Sequence, residues 1–399
     1  MIVNETPAPL ALDATATLPD DGYRGSLVGR VWRPDLGGPS VVAVREVGVI
    51  DVTHAFPTVS HLTELPDPSG ALAATDGEFV GTLQDLLDNT PETLRNATKP
   101  WLLAPVDLQP IKAAGVTFAV SLIERVIEER ASGDPDLART IRQEITDVIG
   151  VSVAELVPGS PEAADLKAAL IERGLWSQYL EVGIGPDAEI FTKALPLSSV
   201  GTGVAAGVLT KSTWNNPEPE LALMVTSTGR IVGATLANDV NLRDYEGRSA
   251  LLLSKAKDNT ASSALGPFVR LFDDSFSLED VRQATIELDV VGIDGFVMSG
   301  RSPLSEISRD PEDLVRQLIG RQHQYPDGVA FLLGTLFAPI DDRDEPGQGF
   351  THKRGDVVTI SSPLLGRLTN VMMNSEECES WTFGLSAMIA HLSRWPATA

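Results

Sequence analysis

Cysteine is nearly absent from this chain. The single residue, Cys378, in 399 excludes an intrachain disulfide and any zinc site built on cysteine, and it suits an inert thiol in a reducing cytoplasm. Histidine is scarce too: His54, His61, His323, His352 and His391 are the whole set, and no two stand at metal-ligand spacing on a predicted helix. The chain lacks an apolar run of 18 residues and lacks a basic stretch with an apolar core at its start, so neither membrane spanning nor export is expected. Positive charge is in deficit. Lys and Arg number 31 against 55 Asp and Glu, a formal net charge of −24 spread along the length, which argues against nucleic acid or an anionic membrane as partner. A small anionic substrate would then need local cationic help. There is no G-x-S-x-G nucleophile elbow. "GTGVAAG" (201–207) is followed by "VLTKSTWNNPEPE", too rich in Pro and Asn for the helix that a dinucleotide fingerprint needs, which excludes that motif.

What is present is a chain 43% apolar, enough to bury a substantial core. Short alternating stretches such as "GSLVGRVWR" and "SVVAVREVGVIDVTH" predict a small β-rich N-terminal domain over residues 1–100, its first 20 residues loosely held and "LPDPSG" a loop within it. Proline-punctuated "NATKPWLLAPVDLQP" (96–110) marks the boundary to a catalytic domain over 101–399. Apolar residues at i, i+3, i+4 in "VSLIERVIEERA", "DLARTIRQEITDVIG" and "PEAADLKAALIERG" predict a helical insertion at 120–174. From Tyr179 onward short β runs return, with one helix at "PEDLVRQLIGRQ" (311–322). The fold class is α+β.

The chemistry concentrates in "WNNPEPELALMVTSTGRIVGATLANDV" (214–240). Side chains alternate along a strand, so Glu218 and Glu220 share a face if "PEPELALMV" is extended. A tight loop centred on Thr228-Gly229 pairs Ser227 with Arg230, and the ladder then sets Glu218 opposite Asp239. Directly opposed β-carbons lie about 5 Å apart, so three carboxylates converge, and a divalent cation relieves their repulsion. All-oxygen ligands favour Mg²⁺, Mn²⁺ or Ca²⁺ over zinc or copper. The same spacing also fits solvated acids at strand ends. Arg243 and Asp244 follow the third carboxylate, and Lys255 and Lys257 in "LLLSKAKDNTASSALGP" either supply a cation for a substrate carboxylate or enolate, or form a surface pair. Gly334 and Thr335, ending the apolar run "FLLGTLFAP", either bind an anion through backbone N–H and hydroxyl or make a plain turn.

Acid-x-acid, the later Asp of "ANDV", the lysine nine residues before "GP", the "GT" strand end and "GD" with "LGRLTN" occur in that order, and together they resemble the fumarylacetoacetate hydrolase superfamily over 102–371. The resemblance implies a mixed β-roll catalytic domain, a Mg²⁺ or Mn²⁺ site on Glu218, Glu220 and Asp239, substrates that are 2-oxo acids or 1,3-dicarbonyls, and a homodimer or homotetramer. Family members commonly carry a lid motif, G-x-N-Y-x-x-H-x-x-E, whose His–Glu pair activates water. Here "GVTFAVSLIERVIEER" keeps Gly115 and Phe118, but Ser121 stands at the His position while Glu124 keeps the Glu. Without the His, hydrolysis loses its dyad, whereas one carboxylate suffices to remove and return a proton, so elimination is favoured.

Within the superfamily, "SQYLEVGIGPDAEIFTKALPLSSVGTG", "SEISRDPEDLV", "HQYPDG" and "GFTHKRGDVVTISSP" resemble the dehydratases of sugar-acid catabolism that act on 2-keto-3-deoxy-pentonates. That resemblance implies a Mg²⁺-dependent hydro-lyase producing 2,5-dioxopentanoate. In it Glu124 is the base, Lys257 holds the carboxylate or opposes the enolate charge, and Thr335 anchors the carboxylate. Ser302, Ser305 and Glu306 of "GRSPLSEIS" read the distal hydroxyls or cap a turn. Two rivals stand beside it: a C–C bond hydrolase of a 2,4-diketo acid on the same scaffold, and a non-catalytic metal-binding relative.

Overall fold

The computed structural model describes residues 10–118, 122, 126, 130, 156–174, 176–335, 341–344 and 349–394. Among these, sixteen strands form: β1 (Ser26–Arg33), β2 (Gly38–Arg45), β3 (Gly48–Asp51), β4 (Glu78–Gly81), β5 (Trp101–Leu103), β6 (Ile111–Gly115), β7 (Glu189–Ala194), β8 (Ala205–Val208), β9 (Pro219–Val225), β10 (Ile231–Asp239), β11 (Ser263–Leu271), β12 (Thr285–Val291), β13 (Val297–Pro303), β14 (Val329–Leu332), β15 (Val357–Ser362) and β16 (Gly366–Asn374). An eleven-stranded sheet runs β4-β3-β2-β1-β11-β10-β9-β14-β6-β7 with β5 on β1, so the N-terminal strands continue into the central ones. A second sheet of five strands runs β13-β12-β15-β16-β8. Among the described strands, parallel pairing is confined to β14 with β6 and β16 with β8. Helices fill the connections, and none of the described ones is long and apolar enough to cross a membrane.

The centre of the large sheet is apolar on both faces, which is why β9, β10 and β11 read as near-continuous apolar runs. Leu221, Leu223, Val225, Ala234 and Leu236 turn one way, into a core shared with Ile286, Leu288, Ile360 and Leu368 of the second sheet. Ala222, Met224, Ala237 and Val269 turn the other way, onto Val28, Val41 and Val106. Glu218 and Glu220 have the parity of Ala222 and Met224, and Asp239 that of Ala237. The carboxylates therefore emerge where this second face runs out of apolar residues.

Several local expectations are corrected. Residues 10–20 are held: Asp13 caps the helix Ala14–Thr17 by accepting the Ala16 N–H at 2.9 Å, and Leu18 is buried with Leu27, Val42 and Leu86. "LPDPSG" is not a loop throughout, because Asp67 accepts the Gly70 N–H and Pro68 opens the helix Pro68–Ala74. Tyr179 lies in the helix Gln178–Ile184, capped by Ser177, before strands resume at Glu189. The helix at 311 ends at Leu318. Of the predicted insertion, the helix Pro161–Glu172 forms, and Leu122, Val126 and Arg130 are helical. Ser121 and Glu124 lie outside the described residues.

Candidate active site

The loop of the β9–β10 hairpin differs from the predicted one. Three residues, Ser227 to Gly229, turn the chain instead of two: Thr226 N–H donates to Arg230 O at 2.9 Å, and Gly229 takes φ +85°. Val225 thus faces Ile231, one step out of the expected register. A bulge at Val232 removes the offset, and from Met224 opposite Gly233 to Pro219 opposite Asn238 the pairing is as predicted. Beyond the last pair, Asp239 N–H donates to Glu218 O at 3.0 Å, so these two residues do face each other. Glu220 stands opposite Ala237.

Glu218, Glu220 and Asp239 are all buried, at 3%, 1% and 0% exposure, and each offers an oxygen within 4.8 Å of the others. They are not solvated strand-end acids. Two ammonium groups meet them. Lys257 Nζ lies 2.5 Å from Glu218 Oε2 and 3.4 Å from Asp239 Oδ2, placed by the short helix Leu253–Lys257 between β10 and β11. Lys255 is exposed on the same helix, so only one of the predicted pair serves the cluster. Lys193, fully buried on β7, lies 2.8 Å from Asp239 Oδ1. The Gly334 N–H donates to Glu220 Oε2 at 2.8 Å. Burial pushes the Glu220 carboxyl well above its ordinary range, and the neighbouring Asp239 and Glu218 add to the push. Burial likewise lowers the Lys193 ammonium, an effect opposed by Asp239.

Three buried carboxylates against two buried ammoniums leave excess negative charge in a dry place. The donors are all oxygen, close enough to share one ion, and they fit a hard divalent cation such as Mg²⁺ or Mn²⁺.

Other predicted site residues fall at varying places. Thr335 is buried next to Gly334 at the end of β14. Arg243 is buried in the turn of helix Arg243–Glu246 that follows Asp239, its guanidinium 5.6 Å from the centre of the Trp214 ring. Ser302 lies in the second sheet opposite Ile286, while Ser305 and Glu306 are exposed in the 3-10 turn Leu304–Glu306. No hydrogen bond among the described residues joins these three to the carboxylates. Ser308 donates through N–H and hydroxyl to Thr117 O, and the Thr117 hydroxyl donates to Leu333 O at 2.6 Å, beside Gly334.

Sequence reasoning missed Lys193, Thr117 and Ser308. A lysine inside "EIFTKALP", at the inward position of a strand, is the signal that could have found the first.

The folded chain is a mixed helix-and-sheet protein with a buried acidic metal-type centre. Its fold is that of 2-keto-3-deoxy-D-arabinonate dehydratase: the apo structure aligns with TM-score 0.61 at 22% identity, covering 87% of this chain and 99% of that one. A structure of the same enzyme complexed with magnesium and 2,5-dioxopentanoate aligns with the same score, identity and coverage. No family model matches the chain. In sequence it is 32% identical over 180 residues to the 2-dehydro-3-deoxy-D-arabinonate dehydratase of Saccharolobus solfataricus, which is 45% of this chain. That match spans 57% of the relative's own length. It is 29% identical over 266 residues to a Haloferax volcanii protein named "Probable 2-keto-3-deoxyxylonate dehydratase", covering 67% of this chain and 73% of that one. The resemblance to the pentonate dehydratases is borne out by the names of these two relatives.

Proposed function

We propose that this protein is a Mg²⁺-dependent hydro-lyase that converts a 2-keto-3-deoxy-pentonate, such as 2-keto-3-deoxy-D-arabinonate, to 2,5-dioxopentanoate. The observation that carries the reading is the buried cluster of Glu218, Glu220 and Asp239 with Lys257 at hydrogen-bond distance. Support comes from the dehydratase names of the two relatives and from the magnesium and 2,5-dioxopentanoate bound in a solved structure of the same fold.

Glu218, Glu220 and Asp239 would hold Mg²⁺. When bound, the ion supplies Lewis acidity to a 2-oxo acid, making its C3–H more acidic. Glu124 takes that proton, a role for which a single carboxylate is enough. Hydroxide leaves C4, and the proton gained by Glu124 can accompany it, so one water departs in all. Tautomerisation of the hydroxymethyl end then gives the C5 aldehyde. Lys257, held over the cluster on the Phe191 side, opposes the negative charge that develops on the substrate as C3–H breaks. Thr335 anchors the C1 carboxylate from beyond the end of β14, Arg243 adds positive charge, and Ser302, Ser305 and Glu306 are assigned to the distal hydroxyls. The Gly334 N–H serves by holding Glu220.

The test is direct. Purified protein with Mg²⁺ and 2-keto-3-deoxy-D-arabinonate, coupled to a semialdehyde dehydrogenase, is expected to form NAD(P)H at a rate that EDTA removes. Absence of semialdehyde, with pyruvate released from a 2,4-diketo acid instead, would overturn the proposal in favour of C–C hydrolysis.

A further inference from the structure

Lys193 is the largest charged group of the cluster that the proposed reaction does not use. Its ammonium is wholly buried, on the last strand of the large sheet, and its surroundings are crowded with acceptors. Asp239 Oδ1 lies at 2.8 Å, Val240 O at 2.9 Å, Lys257 O at 2.6 Å and Ser262 Oγ at 3.3 Å. An ammonium has three protons to give. Four acceptors already compete for them, so Lys193 has no proton to offer a substrate.

Those acceptors have a pattern. Asp239 and Val240 lie at the end of β10, Lys257 ends the short helix after it, and Ser262 immediately precedes β11. The ammonium thus clamps both ends of the connection 240–262, the segment that carries Lys257 and Arg243. Two consequences follow from the distances. Asp239 is held by Oδ1, which turns Oδ2 toward Lys257 Nζ and the other carboxylates. The Lys257 backbone is held at its carbonyl, which sets where its side chain starts on the way to Glu218.

We propose that Lys193 is a positioning residue of the active site: it fixes the orientation of the Asp239 carboxylate and the origin of the Lys257 side chain, and does not touch the substrate. The inference rests on the reading of Glu218, Glu220 and Asp239 as the cation site. A competing role makes an opposite prediction. Were Lys193 there only to balance charge, its removal would leave the cluster more negative and strengthen Mg²⁺ binding. A lost orienting partner of a metal ligand instead weakens binding, by about 10- to 100-fold.

Magnesium titration of the full chain by calorimetry, without substrate, separates the two roles. Lys193→Met is expected to lose about 10- to 100-fold in Mg²⁺ affinity while its circular dichroism spectrum in EDTA stays that of the parent. Lys193→Arg keeps the charge, but its planar fork cannot serve acceptors arranged around a tetrahedral ammonium, so affinity falls there too. At saturating Mg²⁺, kcat of either variant falls more than KM rises, because Lys257 is misplaced. Unchanged affinity in Lys193→Arg, or tighter binding in Lys193→Met, overturns the positioning role. Should Lys193→Met fail to fold, Lys193→Arg decides alone. Parent protein that binds no Mg²⁺ sinks the cation site itself, whereas parent binding with unaffected variants sinks only the role of Lys193.

Discussion

At the scale of single residues, burial and two neighbouring carboxylates all oppose the ionisation of Glu220. Its partners are one backbone N–H and a nearby ammonium, and a bound cation would complete them. Glu220→Gln is therefore expected to abolish Mg²⁺ binding by calorimetry; retained binding would show that the three carboxylates do not form the site. Lys257→Met is expected to lower kcat by about 10²- to 10³-fold, the usual loss when one preorganised partner of developing charge is removed. A rate within a few-fold of the parent would assign charge stabilisation elsewhere. Cys378 has no part in this chemistry. Burial, followed by Glu92, Glu377 and Glu376, pushes its thiol up to about 12, so at pH 8 it stays protonated and should react with a disulfide reagent far more slowly than free cysteine.

Elements decide how those residues meet. The β9–β10 register was legible because a turn centred on Thr228-Gly229 decides which residues oppose one another, and from Met224 to Pro219 the ladder keeps that register. The loop was not. Gly229 was readable as a turn glycine, but a three-residue turn keeps the register only with the bulge at Val232, whose carbonyl accepts the Phe272 N–H just beyond β11. The two errors cancel, which is why Glu218 still faces Asp239. Gly334 offers a test at this scale. Its φ of +97° and the Thr117 hydroxyl 2.1 Å from where a Cβ would stand leave no room for a side chain. Gly334→Ala should cost about 1–3 kcal/mol of stability and weaken Mg²⁺ binding by shifting the N–H that holds Glu220. An unchanged melting temperature would contradict this account.

For the molecule as a whole, the pH dependence of stability is set partly by groups other than the three carboxylates. His352, its side chain buried beside Phe350, sits 3.3 Å from Asp356, which Arg343 also binds from 2.5 Å. Burial lowers the His352 imidazole below 6.5; Asp356 opposes this and Arg343 adds to it. The unfolded chain thus binds a proton that the fold refuses. Stability from this group is complete above pH 6.5 and declines as pH falls below it, by at most about 1.4 kcal/mol per pH unit. Melting temperatures at pH 7.5 and 5.5 should differ more for the parent than for His352→Gln; equal differences would exclude His352 as the source.

What the sequence by itself determined follows from local rules and composition. The strand alternation, the acid-x-acid spacing and the ordered motifs were enough for the α+β class, the carboxylate triad and the dehydratase resemblance, because pleat and register act between near neighbours. Lys193 was beyond that reach. It lies 46 positions before Asp239 in the chain and on the other side of β14 and β6 in the sheet. Its meaning comes only from a buried ammonium finding Asp239, Val240, Lys257 and Ser262 around it. Likewise the depth of burial that turns three acids into one site is a property of two sheets packed together, since desolvation is decided by everything that surrounds a group and not by its neighbours along the chain.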